Sequence, residues 1–503
     1  MQWTLEQIAR ILGVGTPSGL DPLARLAGVS IDSRTVRAGD LFVAIRGPHF
    51  DGHDFVTKSL AAGAVSAVVE SERIGSFPPE IADRLLAAPD TLSALQSLAG
   101  ASLRKWRGLS RDHKLAAITG SAGKTTTKEV LAALLGSRMC VLKSEGNLNN
   151  EYGLPLTLLR LDSCHEAAVV ELGMSRKGEL TRLAALAEPE LGIVTCVAAV
   201  HLEFFKSVDE IAQAKRELVD GLAGGAPVAI LNTDDTRVAQ FEDDFRGRTV
   251  TFGVESRADF RAENITAYGI DGSEWDCVSS VGRARIMLPL PGRHNIYNAL
   301  AAMAAANEWG ITPSDAAPVL GKFRPAHMRG ELLKFAAGFT VVNDAYNSNP
   351  AALMQVIEAA DATPGYRRRL IAAGEMRELG PSSAELHRQC GQTAACVGNI
   401  DWIFGIAGNA AEVLRGARDA GFRADQTRFF ESSPEAADFL VDFLRPGDLL
   451  VVKGSRGVRM ELIVEAILAR YPLQESGIGK SVESRSNKSG EPSATAPTNR
   501  IVC

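Results

Sequence analysis

The chain has 503 residues, 46% of them hydrophobic and 23% charged, and a formal net charge of −6. That length implies about three domains, the composition is that of a globular protein, and the acidic balance argues against nucleic acid as a partner. Seven cysteines without C-x-x-C spacing give neither a disulfide frame nor a zinc site. No basic-then-apolar leader or bilayer-length apolar run is present, so a cytoplasmic protein without membrane insertion is expected.

Residues 1–111 read as a first α/β segment. It has a strand-like Leu41-Phe-Val-Ala-Ile45, helical patterns near Asp54–Ala62 and Thr91–Trp106, and an apolar Ala64-Val-Ser-Ala-Val-Val69. Residues 112–324 form a second, in which the apolar runs Leu115–Thr119, Ala167–Leu172, Leu191–Val197 and Val228–Leu231 alternate with helical stretches. That alternation predicts a parallel sheet flanked by helices. Residues 325–472 repeat it with Phe339–Val342, Arg369–Ala373, Trp402–Ile406 and Leu449–Val452. From Leu473 to Cys503, Ser, Gly, Lys, Glu and Pro dominate, and a disordered tail is expected.

The first strand of the second segment runs into Gly120-Ser-Ala-Gly-Lys-Thr-Thr126 and then a helical pattern. This is the layout of a phosphate cradle. Gly120 and Gly123 let the backbone curl, Ser121 and Ala122 complete the turn, and the helix start offers its positive end. Lys124 is placed to reach terminal phosphates, Thr125 to ligate Mg²⁺, and Thr126 continues the cradle. The loop is shorter than the standard form, because Ile118 stands where its first Gly would be.

The amide-rich Asn147-Leu-Asn-Asn-Glu151 follows. It is either a helix-capping loop or a source of amide contacts to a peptide-like substrate, with Asn147 and Asn150 as the candidates. Glu171 ends the next strand and His201 follows the one after. Ligands of open parallel sheets sit beyond the carboxyl ends of the strands. Glu171 and His201 are therefore expected beside the cradle, as Mg²⁺ ligands. In the helical stretch Val208–Leu222, Ile211, Lys215, Leu218 and Leu222 share a face. Lys215 is then either a snorkelling side chain or a desolvated amine of lowered pKa, able to add CO₂ and ligate metal as a carbamate.

Asn295, at the start of an Ala-rich helix, is a candidate to face a nucleotide. In the third segment, Asn343-Asp-Ala-Tyr-Asn-Ser-Asn-Pro350 follows a strand, and Asp344 and Tyr346 offer hydrogen bonds and a stacking face. Lys453-Gly-Ser-Arg456 follows another strand and combines cations with a turn suited to a carboxylate.

Ile118–Glu129, Gly146–Glu151, Glu171-Leu-Gly-Met174, His201-Leu-Glu203, Ala214-Lys215, Leu288–Asn295, Asp344-Ala-Tyr-Asn347 and Lys453–Arg456 together resemble the Mur ligases of peptidoglycan and cell-wall synthesis, over roughly residues 28–470. Ser30-Ile-Asp-Ser-Arg34, Asp40–Gly47 and Phe50–Phe55 point to the branch that uses D-alanyl-D-alanine.

The resemblance implies a UDP-binding α/β domain, a central ATPase domain with a parallel sheet and phosphate loop, and a Rossmann-like C-terminal domain. It implies an ATP- and Mg²⁺-dependent, ADP-forming amide ligase acting as a monomer on UDP-N-acetylmuramoyl-tripeptide and D-alanyl-D-alanine through an acyl phosphate. It assigns Lys124, His201 and Lys215 to catalysis, with Lys215 at the family's carbamylated position. Asn295, Asp344 and Tyr346 go to the nucleotide. Ser33, Arg34, Gly47 and His53 go to the UDP part, and Lys453, Ser455 and Arg456 to the incoming dipeptide. The competing readings are another amide ligase of the same fold, either diamino-acid-adding or folylpolyglutamate-forming, and a nucleotide-switched binding protein.

Overall fold

The protein is described by a computed structural model covering residues 3–47, 50–199 and 203–474. Its strands fall into three sheets. Val29–Ser30 (β1), Leu41–Val43 (β2), Ser66–Glu70 (β3) and Leu85–Ala88 (β4) form a four-stranded parallel sheet in sequence order. Helix Thr91–Arg107, capped by the Asp90 carboxylate, leads out of it.

The second sheet has nine strands: Lys114–Thr119 (β5), Val141–Lys143 (β6), Ala167–Glu171 (β7), Leu191–Val194 (β8), Val228–Asn232 (β9), Arg248–Gly253 (β10), Phe260–Ala267 (β11), Ser273–Ser279 (β12) and Gly282–Leu288 (β13). Their order is β13-β12-β11-β10-β9-β8-β5-β7-β6. Strands β6 to β11 pair in parallel, as expected. The expectation of a purely parallel sheet is corrected at one edge, where β11, β12 and β13 form an antiparallel meander. Short turns can join antiparallel strands without a crossover helix.

Side chains alternate strictly between the two faces of this sheet. Leu115, Ala117, Ala168, Val170 and Val194 point to one side, where helices Thr91–Arg107, Gly153–Leu158, Glu179–Ala187 and Val208–Asp220 cover them. Ala116, Ile118, Val169 and Ile193 point to the other, under helices Lys124–Gly136 and His294–Ala306.

Glu331–Lys334 (β14), Thr340–Asp344 (β15), Arg368–Gly374 (β16), Trp402–Ile406 (β17), Thr427–Phe430 (β18) and Asp448–Lys453 (β19) form the third sheet, in the order β14-β15-β19-β16-β17-β18. All pairs are parallel except β14 with β15. Leu473, read from sequence as the start of the tail, instead forms an antiparallel bridge with Phe335, and the Gln474 N–H donates to the Lys334 carbonyl at 2.8 Å. The rest of the expected tail lies outside the described residues.

The three units are joined by packing. Leu5, Leu95, Leu115 and Leu158 belong to one apolar core spanning the first two. The Ser102 hydroxyl donates to the Leu158 carbonyl at 3.0 Å, and the Trp106 indole to the His165 carbonyl at 2.7 Å. Between the second and third, Ile270 is buried in the core of Leu353 and Ile357, and its N–H donates to Thr363 Oγ1 at 2.9 Å. Among the described residues no helix is long and apolar enough to cross a membrane.

Candidate active site

The site grows from the end of β5. Gly120 (φ +148°) and Gly123 (φ +84°) sit in backbone regions that favour glycine. A Cβ on Gly120 would collide with the Thr195 side chain, and one on Gly123 with the Asn298 carboxamide. The loop is stitched to the end of β8: Ser121 N–H donates to the Cys196 carbonyl at 2.8 Å, and Thr195 Oγ1 to the Ala122 carbonyl at 2.5 Å. Helix Lys124–Gly136 then begins with no side-chain cap and no acidic residue in its first turn. Its N-terminal N–H groups and positive dipole end are left for an anion.

Lys124 Nζ folds back onto the Gly120 carbonyl at 2.8 Å. The Thr125 hydroxyl donates to Glu171 Oε2 at 2.8 Å and accepts from Arg329 Nη2 at 3.2 Å. Asn149 Nδ2 holds the other Glu171 oxygen at 3.0 Å. Glu171 is 4% exposed, and its backbone N–H donates to Ser144 Oγ. Lys128, also buried, donates to the Ser144 carbonyl at 2.7 Å. Glu171 and Thr125 are therefore held together by the protein's own contacts.

Lys215 is 2% exposed on helix Val208–Asp220, with Ile211 and Leu218 buried on the same face. The snorkelling alternative is thereby removed. Burial, and then the neighbouring Lys124 charge, push its amine down to about 7. Lys124 is also lowered, by loss of water around it and by Arg329, while Glu171 opposes the shift. Lys124 thus lies beside Glu171, Lys215 beside Lys124, and Arg329 on the Thr125 hydroxyl that Glu171 holds. This surplus of positive charge suits a polyphosphate, and the Glu171 and Thr125 oxygens suit the hard cation that would accompany it. His201, the other expected metal ligand, lies outside the described residues.

One cavity of about 1300 Å³ opens onto this cluster. The phosphate loop, Asn147, Asn150 and Asn295 line it from the second sheet, and Asp344, Tyr346, Lys453, Ser455 and Arg456 from the third. It exceeds the usual ~300–1,000 Å³ of a single-ligand pocket, so it has room for a nucleotide and an acceptor together.

Three family models match the chain: the Mur ligase family catalytic domain over residues 25–101, the Mur ligase middle domain over 118–306, and the Mur ligase glutamate ligase domain over 328–456. The chain belongs to the Mur ligases. It is 34% identical to the UDP-N-acetylmuramoyl-tripeptide–D-alanyl-D-alanine ligase of Escherichia coli, over 94% of this chain and 99% of that one. A MurF crystal structure from Acinetobacter baumannii superposes with a TM-score of 0.80 at 27% identity, covering 93% of this chain and 99% of that one. MurF from Thermotoga maritima in complex with ADP superposes with a TM-score of 0.74 at 26% identity, covering 88% and 97%.

In this Mur ligase several expected site residues have part of their bonding capacity committed within the protein. Asn295 donates to the Pro291 carbonyl at 2.7 Å and accepts from Asn298 at 2.9 Å, so it ties the loop to helix His294–Ala306 as well as lining the cavity. Asn150 Oδ1 accepts the Gly153 N–H at 2.9 Å, the capping alternative read from sequence. Lys453 is buried and donates to Asp344 Oδ2 at 2.6 Å and the Asn347 carbonyl at 3.0 Å. Ser455 Oγ accepts the Arg377 N–H at 2.9 Å. Arg456 is exposed and pairs with Glu461 at 3.2 Å. One face of Tyr346 is covered by the Arg329 guanidinium, 3.9 Å from the ring centre, which leaves less of the ring for the stacking expected from sequence.

Ser33, Arg34, Gly47 and His53 are in the first domain and line no part of the cavity. Arg34 is exposed and forks onto the Asp32 carboxylate at 2.6–3.1 Å. Gly47 N–H donates to the Phe50 carbonyl, and Ser33 is half-buried beside Arg34. His53 bonds within its own domain. It is 5% exposed, its Nδ1 bonds Asp51 Oδ1 at 2.6 Å, and its Nε2 accepts the Glu70 N–H at 2.9 Å. Both ring nitrogens are spoken for, so the ring is a strut between the turn and β3. His53→Ala is expected to cost about 1–3 kcal/mol of stability by stranding the Glu70 N–H, read from the unfolding midpoint. Unchanged stability with lost affinity for the UDP substrate would return His53 to the ligand.

Two residues escaped the sequence reading. Arg329 lies in the connection between the second and third segments, between Met328 and Gly330, both at positive φ. The signal in the sequence was only a cation followed by Gly330. Asn149 sits inside the amide-rich stretch, where sequence gave no way to choose it over its neighbours.

Proposed function

We infer that this Mur ligase joins D-alanyl-D-alanine to UDP-N-acetylmuramoyl-tripeptide at the expense of ATP, releasing ADP and phosphate and completing the pentapeptide precursor of the cell wall. One observation carries the reading: a single cavity connects the phosphate loop of the second domain with the Asp344–Lys453 wall of the third. The enzyme is a peptide ligase, and in this reading it works as a monomer in the cytoplasm. We assign the domains to residues 1–111, 112–324 and 325–474.

Gly120 to Thr126 hold the phosphates, with Lys124 and the helix start on the outermost oxygens. Thr125, Glu171, His201 and Lys215, the last as a carbamate, would hold Mg²⁺, which would neutralise phosphate charge. Two anions, a carboxylate and a triphosphate, must meet here, and Lys124 and Arg329 stabilise the charge that gathers as they do. Asn147 and Asn150 face the tripeptide, and Ser33, Arg34, Gly47 and the turn held by His53 face its UDP end. Asn295, Asp344 and Tyr346 serve the nucleoside, while Lys453, Ser455 and Arg456 serve the dipeptide. The tripeptide carboxylate becomes an acyl phosphate, the dipeptide amine adds to its carbon, and phosphate leaves. Arg329, reaching from the third domain to Thr125, ties closure of that domain to the phosphate site and helps exclude water that would hydrolyse the acyl phosphate.

Arg329→Lys keeps the charge but loses the planar stack on Tyr346 and the Nη2 bond to the Thr125 hydroxyl. A fall of about tenfold in kcat is expected, measured as ADP release with all three substrates. An unchanged kcat would make Arg329 a packing residue. The assignment within the family is tested by ADP release with alternative amines. D-Alanyl-D-alanine is expected to support turnover and pentapeptide formation. Turnover with a free diamino acid and none with the dipeptide would assign the chain to a different step.

A further inference from the structure

We propose that Cys140, Cys164 and His165 form a second metal site, for a soft cation such as Zn²⁺, on the sheet edge remote from the catalytic cluster. The two cysteines are 24 residues apart in the chain, so no short spacing marks them. The fold joins them. Cys140 immediately precedes β6, and Cys164 lies in the loop before β7. β6 and β7 are parallel neighbours, with Val141 paired to Ala167. Their starting ends therefore meet, at the opposite edge from Glu171, which closes β7. None of the three residues lines the large cavity.

The geometry is that of a metal cradle. The sulfurs are 3.5 Å apart, and a ring nitrogen of His165 lies within 4.8 Å of both. Two thiolates on a tetrahedral zinc, each at ~2.3 Å, stand about 3.8 Å apart. The pair therefore needs to open only slightly. A disulfide needs about 2.0 Å, a far larger move. Cys140 and Cys164 are exposed and His165 is half-buried, so a hydrated ion can reach them and keep water as its fourth ligand. Two thiolates balance the charge of a divalent ion, and their softness selects Zn²⁺ over Mg²⁺.

Backbone contacts hold the ligands in place. The Glu166 N–H donates to the Cys140 carbonyl at 2.8 Å, and the Cys140 N–H to Glu166 Oε1 at 3.2 Å. The Trp106 indole N–H donates to the His165 carbonyl at 2.7 Å, and the His165 N–H to the Asp162 carbonyl at 3.1 Å. His165 carries one cost. Its Nδ1 accepts the Asp162 N–H at 3.0 Å. Ligation through either nitrogen releases that bond, since Nδ1 must turn to the metal or take the proton that leaves Nε2. The thiolates therefore supply most of the affinity. On binding, each thiol passes its proton to solvent and the ion sheds water in exchange. The bound ion ties the loop before β7 to the start of β6, and stabilises the folded chain by mass action.

The test uses the full chain, kept reduced and saturated with Mg²⁺ so that hard-cation sites are filled. Co²⁺ is titrated as a stand-in for Zn²⁺, because thiolate ligation gives it a charge-transfer absorption that oxygen and imidazole ligands do not. The wild type is expected to take up one equivalent with that absorption, to lose it to added Zn²⁺, and to unfold at a higher midpoint with Zn²⁺ than without. Cys140→Ser and Cys164→Ser are each expected to lose both the absorption and the midpoint shift. His165→Ala is expected to keep the absorption but bind more weakly. Metal-free midpoints equal to that of the wild type show that the serine variants fold. An absorption that is absent from the wild type, or that persists in both serine variants, overturns the proposal. So does a chain whose two thiols close to a disulfide once reductant is removed, yet bind no metal while reduced.

Discussion

Lys124→Ala is expected to lower kcat by about 10²–10³-fold, or about 3–4 kcal/mol of transition-state stabilisation, the cost of removing one preorganised donor from developing charge. The reason is geometric. Lys124 is the first residue of the helix that follows the cradle, and its ammonium is parked on the Gly120 carbonyl. It need only swing from that carbonyl to a phosphate oxygen. It is also crowded enough that lost hydration lowers its pKa, with Arg329 adding to the effect. An anion arriving there relieves that penalty. The folded state should not suffer from the substitution, because a cation beside Lys215 and Arg329 is removed. Steady-state ADP release, with the unfolding midpoint as control, checks both halves. Turnover within a factor of two of the wild type would remove Lys124 from the chemistry.

Lys215→Ala is expected to cost about 10²-fold or more, above the 10–100-fold typical when a residue supporting a metal ligand is lost. Part of the activity should return with added formate or acetate, which can replace a missing anionic oxygen. Its pH dependence has a definite sign. Burial and Lys124 lower the amine from 10.5 to about 7, so the neutral form that can add CO₂ predominates above pH 7. Activity limited by this group should fall as pH drops through 7 and recover in part with added bicarbonate. The same shift acts on stability in the opposite protonation state. The unfolded chain holds a proton between about 7 and 10.5 that the folded apo chain does not, so this group's cost is greatest below 7 and fades as pH rises to 10.5. Full activity of Lys215→Ala without any additive would make Lys215 a core residue.

The parallel strands were legible because both of their faces are buried, so each reads as a short apolar run: Leu115–Thr119, Ala167–Leu172 and Trp402–Ile406 lie within a residue of β5, β7 and β17. The β11–β13 meander was not, because one face meets water. There Glu274 and Asp276 alternate with the buried Trp275 and Cys277, and Arg283 and Arg285 answer them across the strands. The signal was the period-two alternation, which a search for apolar runs passes over.

At the site, residues that follow a strand were found easily, since the sheet edge predicts where they meet. Thr125, Glu171 and Lys215 are of this kind, or sit on a helix face that points there. What sequence could not supply was partnership. Nothing in the letters shows that His53 spends both nitrogens on its own domain, or that Lys453 is spent on Asp344. Nor do they show that Arg329 crosses from a connection to the Thr125 hydroxyl. Those contacts depend on how the chain folds back on itself within a domain, for His53 and Lys453, or on how two domains pack, for Arg329.

The central claim is that the tripeptide carboxylate takes the outermost phosphoryl group from ATP beside Lys124. It is tested most directly with UDP-N-acetylmuramoyl-tripeptide labelled with ¹⁸O in its terminal carboxylate, turned over with ATP and D-alanyl-D-alanine. Mass analysis of the released phosphate is expected to show one labelled oxygen per phosphate, alongside equal amounts of ADP and pentapeptide. Unlabelled phosphate, or AMP and pyrophosphate in place of ADP, would contradict it.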